Sequence, residues 1–157
     1  MSLSLTTPVT GSAQSGLTSP TYTLAVDTPP TSAGKQYAVT ALGGTQTGVD
    51  TASSPSRPFT ITGSRPQVLR SLGPVDPVTG VLRAIPRNSY TAFRVRKGVT
   101  PLAGQSPVVA QATVTIDIPA GAELADAPNV RAMLSLLFGA VAQASSSIGD
   151  TVVTGVI

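Results

Sequence analysis

The chain has 157 residues, of which 41% are hydrophobic and only 11% are charged, and its formal net charge is +3. This length suits one domain, and the charge content lies far below the roughly 25% of an ordinary soluble domain, which favours an oligomer with covered surfaces. Because there is no cysteine or histidine, the sequence excludes disulfides, thiol and imidazole catalysis, and ordinary zinc sites.

In chain order, the first residues show no targeting signal. Met1–Thr7 lacks a basic start and an apolar run, so no signal peptide is expected. The longest nearly apolar stretch, 132–142, is interrupted by Ser135 and Gly139 and is shorter than the ~18 residues of a membrane span. We therefore expect a soluble protein without a membrane partner.

The first 125 or so residues are predicted to form an antiparallel sheet. Short runs in which apolar and polar residues alternate are separated there by proline, glycine, serine and threonine. No pattern with the period of a helix appears there. The predicted strands cover residues 21–26, 35–42, 58–62, 67–72, 90–97 and 108–118.

Basic residues are concentrated between positions 57 and 97, where the local net charge is +7, while the flanking regions are mildly acidic. Alternation along 90–97 predicts that Tyr90, Arg94 and Arg96 share one face, opposite Phe93 and Val95. Such a basic stretch indicates either a solvated sheet face or a surface that binds a polyanion. Both interpretations remain open from the charges alone.

The strand predicted at 108–118 carries an unbroken apolar row on one side and a polar row on the other. The polar row contains Gln111, Thr113, Thr115 and Asp117. A sheet with one buried and one polar face is typical of antiparallel architecture.

A helix is predicted over residues 128–144, with Asp126 as its N-cap and Pro128 in its first turn. Its apolar positions recur at helical spacing but also continue around the other side, so the helix must be buried on more than one side. We expect a second copy of the chain to cover it; a helix sandwiched by the chain's own N-terminal segments is the alternative. A shorter helix is predicted over 148–153, ending at Gly155.

No catalytic constellation is present in the sequence. The acids Asp117, Glu123 and Asp126 flank a turn or precede a helix, where structural roles are expected. Gly43-Gly44 and Gly139 lack the neighbours of a phosphate loop or a nucleophile elbow. We predict that the protein is not an enzyme and needs no cofactor or metal.

Four segments together resemble the coat proteins of the single-stranded RNA bacteriophages, the leviviruses. Residues 90–98 look like their central basic strand, 111–121 like their last strand and its exit, 129–139 like their first C-terminal helix, and 148–155 like their terminal segment. The first 60 residues match less well. The resemblance implies an α+β fold: an antiparallel sheet of about five to six strands with an N-terminal hairpin (1–125), followed by two helices that pack on a dimer partner (126–157), all in one domain.

The resemblance further implies that two sheets join edge to edge, and that the dimers form an icosahedral shell which binds single-stranded RNA on its inner face. The expected location is the virion, assembled in the bacterial cytoplasm, with no small-molecule substrate, and RNA-hairpin binding that represses translation is a further implication. The RNA-binding candidates are Arg94, Arg96, Tyr90, Gln111, Thr113, Thr115, Arg83 and Arg87; the dimer candidates are Val130, Met133, Leu134, Leu137, Phe138 and Val141.

Two other functions stay open from the residues alone. A β-rich binding or adhesion module would be a monomer or small oligomer without RNA. A small dimeric cellular RNA-binding protein would bind RNA without forming shells. The segregated charge argues against the first, and the low total charge argues against the second.

Overall fold

The computed structural model describes residues 4–50 and 53–157, which form a sheet followed by helices. The strands are β1 (Val9–Thr10), β2 (Thr18–Asp27), β3 (Gly34–Thr45), β4 (Phe59–Ser64), β5 (Arg87–Val99) and β6 (Val108–Pro119). The helices are α1 (Ala122–Ala125), α2 (Ala127–Gln143) and α3 (Ser145–Thr154).

The described strands form one six-stranded antiparallel sheet in the order β1-β2-β3-β4-β5-β6, so each strand pairs with its neighbour in the sequence. The predicted α+β fold, its strand number and its N-terminal hairpin are confirmed. The predicted strand at 67–72 is wrong, because this segment lies in the connection between β4 and β5.

That connection, residues 65–86, forms an arm. At its base the side chain of Asn88, which is only 3% exposed, accepts a hydrogen bond from Arg70 N–H at 2.8 Å and donates one to Arg70 C=O at 3.0 Å. Leu72 packs against Gly121, which has a φ of +90° and no space for a Cβ atom. At its tip Val75 and Leu82 form an isolated bridge. Side-chain and turn contacts therefore replace the predicted strand pairing.

A β-bulge at Ala92 changes the faces of β5. Tyr90 pairs with Ile116 and Thr91 with Thr115, but beyond the bulge Phe93 pairs with Val114. Directly paired residues share a face of the sheet. Tyr90 therefore lies on the apolar face, and the predicted grouping of Tyr90 with Arg94 and Arg96 is wrong. The extra residue shifts the alternation by one position.

The two C-terminal helices are confirmed. The prediction of 128–144 corresponds to α2, and the helix predicted at 148–153 corresponds to α3, which ends at Gly155 in the left-handed conformation. Asp126 occupies the N-cap position of α2, but its side chain makes no capping hydrogen bond. Its carboxylate instead accepts hydrogen bonds from Asn129 Nδ2 at 2.9 and 2.8 Å. The predicted capping role of that side chain is wrong.

The turn between β1 and β2 reaches the junction of α2 and α3. Gln14 Nε2 donates to the backbone oxygen of Ser145 at 2.9 Å and to its hydroxyl at 2.8 Å, and Ser15 Oγ donates to Asp150 at 3.0 Å. The helices meet there at a bend of 62°. Neither is long and apolar enough to cross a membrane by itself; only the bent pair together has the length and composition.

Burial within the single chain is sparse. Val39, Ile116 and Ala120 are its buried hydrophobic residues in the described part. None of the residues of α2, all of which the structure describes, is buried. The alternative in which the chain's own N-terminal segments enclose this helix is therefore wrong.

Candidate nucleic-acid interface

The polar face of the sheet is organised in rows that run across the strands. One row joins Asp27, Gln36, Thr62, Arg94 and Thr113, which are paired in succession from β2 to β6. These residues are direct cross-strand partners, so their side chains are neighbours on one surface. The row brings one arginine against polar side chains on both sides.

The adjacent row places a second arginine beside the first. It joins Ala25, Ala38, Thr60, Arg96 and Gln111 in the same succession of strands. Since Arg94 and Arg96 stand two positions apart beyond the bulge, both side chains leave the same face. The sheet thus presents two guanidinium groups in neighbouring rows.

The side chains of Arg94 and Arg96, like that of Arg87, make no ion pair or hydrogen bond with any described residue. By contrast, Arg57 contacts Asp50 at 2.6 Å and Arg83 contacts Asp76 at 2.8 Å. Arg94 is exposed and Arg96 is half-buried. Their donors are therefore available to an anion, and a guanidinium fork matches the oxygens of a phosphate.

Lys97 does not contribute to this surface. It pairs with Phe59 and Ala110 on the apolar face, where its Nζ lies 4.1 Å from the centre of the Phe59 ring and donates to the Asp50 backbone oxygen at 3.1 Å. The pKa of Lys97 is below its ordinary value, mainly because the group is partly buried. The nearby Asp50 carboxylate opposes this shift, and the Arg57 guanidinium adds to it. The contact with the ring is a cation–π interaction rather than part of an RNA-binding site.

A chain of hydrogen bonds orders one end of the first row. Thr62 Oγ1 donates to Gln36 Oε1 at 2.8 Å, and Gln36 Nε2 donates to Asp27 Oδ2 at 2.6 Å. The Gln36 amide and then the Thr28 N–H hold the pKa of Asp27 below its ordinary value. Asp27 is thereby kept anionic at the edge of the face, away from Arg94.

Thr60 stands beside Arg96 with an unsatisfied hydroxyl. The residue is 6% exposed, and its Oγ1 is buried without a hydrogen-bond partner in the described chain. Sequence analysis did not select Thr60, because a threonine in an alternating strand is ordinary. The signal that distinguishes it, an orphan oxygen next to an unpaired arginine, exists only in three dimensions.

The remaining predicted RNA contacts fall in different places. Gln111, Thr113 and Thr115 lie on the polar face, opposite Arg96, Arg94 and Thr91 respectively. Arg87 lies on the same face at the far end of β5, opposite Pro119. Arg83 lies outside the sheet, in the arm, bound to Asp76. Six predicted residues thus share a face with one another, while Tyr90 and Arg83 do not join them.

The residues predicted for the dimer interface leave an apolar surface on α2. Met133, Phe138 and Val141 are 48%, 41% and 44% exposed, and Val130, Leu134 and Leu137 are half-buried. A cleft of about 660 Å³ opens beside Leu134 and is also lined by Tyr90, Ile116 and Ile118. A second cleft of about 270 Å³ lies over Tyr22, Leu24, Val39, Phe59 and Val95 on the same face of the sheet.

No three acidic, histidine or cysteine side chains meet in a geometry suited to a metal ion anywhere in residues 4–50 and 53–157. Two of the three acids considered in the sequence have structural partners: Asp117 accepts a hydrogen bond from Ser89, and Asp126 accepts from Asn129.

Comparison with known proteins decides the family. The fold matches a solved structure, the virus-like particle of bacteriophage ESE020, with a TM-score of 0.95 and 53% sequence identity over 99% of this chain and 100% of that chain. The chain is a bacteriophage coat protein. No family model and no curated protein matched the sequence of this coat protein. Its location in a virion capsid and its structural role follow from that membership.

Proposed function

We propose that this coat protein forms interlocked homodimers, that the dimers assemble into an icosahedral shell, and that the shell binds the single-stranded RNA genome of its phage on the polar face of the sheet. Unpaired Arg94 and Arg96 on that face carry the RNA part of the proposal. A shell of proteins with so little net charge needs local cations to hold a polyanion.

The dimer part is supported by apolar surface that a single chain leaves open. Helix α2 has no buried residue, and the clefts over the apolar face are lined by hydrophobic side chains. The outer edge of β6 also has no strand beside it in the described chain. Two copies that join along this edge, each with its helix across the other's sheet, would cover all three features, at roughly 25 cal/mol per Å² of apolar area buried.

RNA contact would be arranged by side-chain type. Arg94 and Arg96 would hold phosphates, while Gln111, Thr113 and Thr115 would offer hydrogen bonds to bases or sugars. Translational repression through one hairpin requires base-specific contacts from such polar groups. We propose it as an additional property of the same face. No step of this function requires catalysis, and assembly is proposed to take place in the bacterial cytoplasm.

The test is the double variant Arg94→Ala/Arg96→Ala, expressed in bacteria and purified as particles. We expect shells of normal appearance by electron microscopy with a lower ratio of absorbance at 260 nm to that at 280 nm. For the dissociated protein, we plot the logarithm of the binding constant for single-stranded RNA against the logarithm of the salt concentration. The slope of this line should become shallower by about 1.4, because each phosphate contact contributes ~0.7.

The matched control is Arg70→Ala/Arg83→Ala, which removes the same charge from the arm. It should package RNA nearly as well as the unaltered protein. Equal RNA loss in both variants would assign packaging to net charge rather than to the sheet face. A small species without nucleic acid from the unaltered chain would instead favour the binding-module function.

A further inference from the structure

The turn between β1 and β2, residues 11–17, forms a strap across the junction of α2 and α3. Gln14 Nε2 donates to the backbone oxygen of Ser145 at 2.9 Å and to its hydroxyl at 2.8 Å. Ser15 Oγ donates to the Asp150 carboxylate at 3.0 Å. Ser145 is the buried residue of α3, with 8% of its surface exposed. Two side chains of the strap therefore hold the start of α3.

The strap approaches α3 so closely that it occupies the space of a side chain at position 149. A Cβ atom on Gly149 would collide with Oε1 of Gln14 and lie 3.0 Å from its Cδ. The φ of Gly149 is not positive, so its backbone conformation does not require glycine. The contact with Gln14 therefore explains a glycine in the middle of this helix, where alanine would otherwise be more stable.

The hydrogen-bond ladder of the helices is interrupted where the strap lies. Ala144 N–H donates to Ala140 C=O at 2.9 Å, and Ile148 N–H donates to Ala144 C=O at 2.9 Å. Between these two bonds, no backbone hydrogen bond joins residues 145–147 to residues 141–143, all of which the structure describes. A continuous helix would contain three bonds there.

The sequence of the junction does not by itself require the bend of 62°. Sharp bends in helices are usually caused by proline, by glycine–serine pairs or by a side chain that inserts into the ladder. Residues 141–148 contain no proline or glycine. The hydroxyls of Ser145 and Ser146 contact Gln14 and Ser15 of the strap, at 2.8 and 3.3 Å, and no side chain caps α3. The inserted group is therefore the Gln14 amide.

We infer that the strap holds α2 and α3 apart, and that its release lets them merge into one continuous helix over residues 127–154. Merging forms the three missing backbone hydrogen bonds and breaks the side-chain hydrogen bonds of the strap. Because the two sets are similar in number, the junction is a two-state element whose balance the strap sets.

The two states differ in the position of the chain's end. Helix α3 has ten residues and is therefore about 15 Å long at 1.5 Å per residue. Straightening it through 62° moves Thr154 by about 15 Å. The strap thus determines where the C-terminal segment of each chain lies on the coat.

Amide hydrogen exchange of the double variant Gln14→Ala/Ser15→Ala tests the inference. The N–H groups of residues 145–147 gain backbone partners when the helices merge. Their exchange should therefore slow by about fivefold or more, the factor that one net hydrogen bond supplies. The control Ser12→Ala changes the same strap at a hydroxyl without a hydrogen bond to any described residue, and it should exchange like the unaltered protein.

A second variant releases the strap from the helix side. Gly149→Ala places a methyl group where Gln14 lies and should slow the exchange of residues 145–147 in the same way. The matched control is Gly139→Ala in α2, since a Cβ atom at Gly139 has no neighbour within 4 Å. It should leave the exchange of the junction unchanged.

A cysteine pair makes the strap switchable, because the chain has no cysteine of its own. Oxidised Gln14→Cys/Gly149→Cys should contain a disulfide within one chain and keep the rapid exchange of residues 145–147. Reduction of the same protein releases the strap and should slow that exchange.

Three results would overturn the inference. Unchanged exchange after every release would show that the junction bends by itself. Faster exchange would show that α3 unfolds, rather than merges with α2, when the strap is lost. Covalent dimers of the oxidised cysteine pair would show that the strap holds the helix of another copy. The proposed coat function is tested separately, because an unaltered chain that forms no shells would reject that function and leave the strap intact.

Discussion

Two threonines of β4 stand in neighbouring rows of the polar face and differ in how their hydroxyls are satisfied. Thr62 donates to Gln36 at 2.8 Å, whereas Thr60 Oγ1 has no partner in the described chain. Both residues are less than a tenth exposed. A buried hydroxyl without a partner costs about 1–3 kcal/mol, while a formed hydrogen bond contributes about 1 kcal/mol.

Valine substitutions should therefore have opposite effects at these two positions. Thr60→Val removes an unsatisfied group at nearly constant shape, so the free energy of unfolding should stay equal or rise. Thr62→Val leaves Gln36 Oε1 without its donor and should lower the free energy of unfolding by ~1 kcal/mol. Thermal unfolding of the two variants side by side measures the difference. An equal loss in both would mean that the Thr60 hydroxyl has a partner in the assembled protein.

The candidate site was predictable from sequence where alternation is undisturbed. Arg94 and Arg96 lie beyond the bulge, and their two-residue spacing alone places them together. Tyr90 lies before the bulge and was misplaced. The sequence around Ala92 does not reveal the bulge, because an aromatic residue stands on either side of it. Without the bulge Tyr90 and Phe93 would lie on opposite faces, and with it both lie on the apolar face. Only the pairing with β6 reveals the change.

At the scale of elements, the arm illustrates how a short, partly apolar run can mislead. Residues 67–72 have the length and apolar content of a strand, but Pro66 precedes them and Gly73-Pro74 follows. The backbone of Arg70 is bound by the Asn88 side chain instead of by another strand. Val68 and Val78 remain 80% and 90% exposed. The segment is ordered by a few polar contacts, which sequence periodicity does not report.

Asp76 organises the tip of the arm. Its carboxylate accepts hydrogen bonds from Arg83 Nε at 3.0 Å and from Val78 N–H at 2.8 Å, and a further one from Thr79 N–H. The Arg83 guanidinium and then these backbone groups hold the pKa of Asp76 below its ordinary value. The carboxylate thus fixes both a turn and an ion pair.

Separate variants distinguish these two roles. Asp76→Ala removes the turn contacts and the ion pair together, so a protease of broad specificity should cleave the arm faster than in the unaltered protein. Arg83→Gln removes only the ion pair, and exposed ion pairs contribute little, so its cleavage rate should stay near that of the unaltered protein. Rapid cleavage of both variants to the same extent would show that the ion pair, rather than the turn, orders the arm.

The helices were the most predictable elements. Apolar residues at helical spacing located α2 within a residue of its observed ends, and Gly155 marked the end of α3. The short α1 was not predicted, because four residues carry no periodic signal. The prediction of side-chain capping by Asp126 was wrong, because that carboxylate accepts hydrogen bonds from the Asn129 side-chain amide instead.

At the scale of the whole molecule, the single chain exposes surfaces that ordinary monomers cover. These are the apolar sides of α2, the clefts over the sheet and the outer edge of β6. The sequence already indicated this through its low charge and its helix without a polar side. The sequence does not show which surface of one copy contacts which surface of the other, because pairing across a symmetry axis produces no periodic pattern in the residues.

A charge on α2 should separate folding from dimerisation. Met133 is 48% exposed in the single chain, so Met133→Asp should cost little until a second copy packs against it. We expect this variant to sediment as a monomer or to aggregate, and to form no shells. Ser135→Asp adds the same charge to the same helix. This variant should still form dimers if the side of α2 that carries Ser135 faces away from the partner. Normal dimers of Met133→Asp, measured by analytical ultracentrifugation, would remove Met133 from the interface.

The absence of any buried residue in α2 links the persistence of the fold to the amount of protein present. If a partner supplies the burial that stabilises this helix, each tenfold dilution of the dimer weakens its stability by about 1.4 kcal/mol. Newly made chains at low abundance would then be transient and open to degradation. As copies accumulate, mass action would drive them together, so the fold and the first step of assembly would appear at the same threshold of concentration.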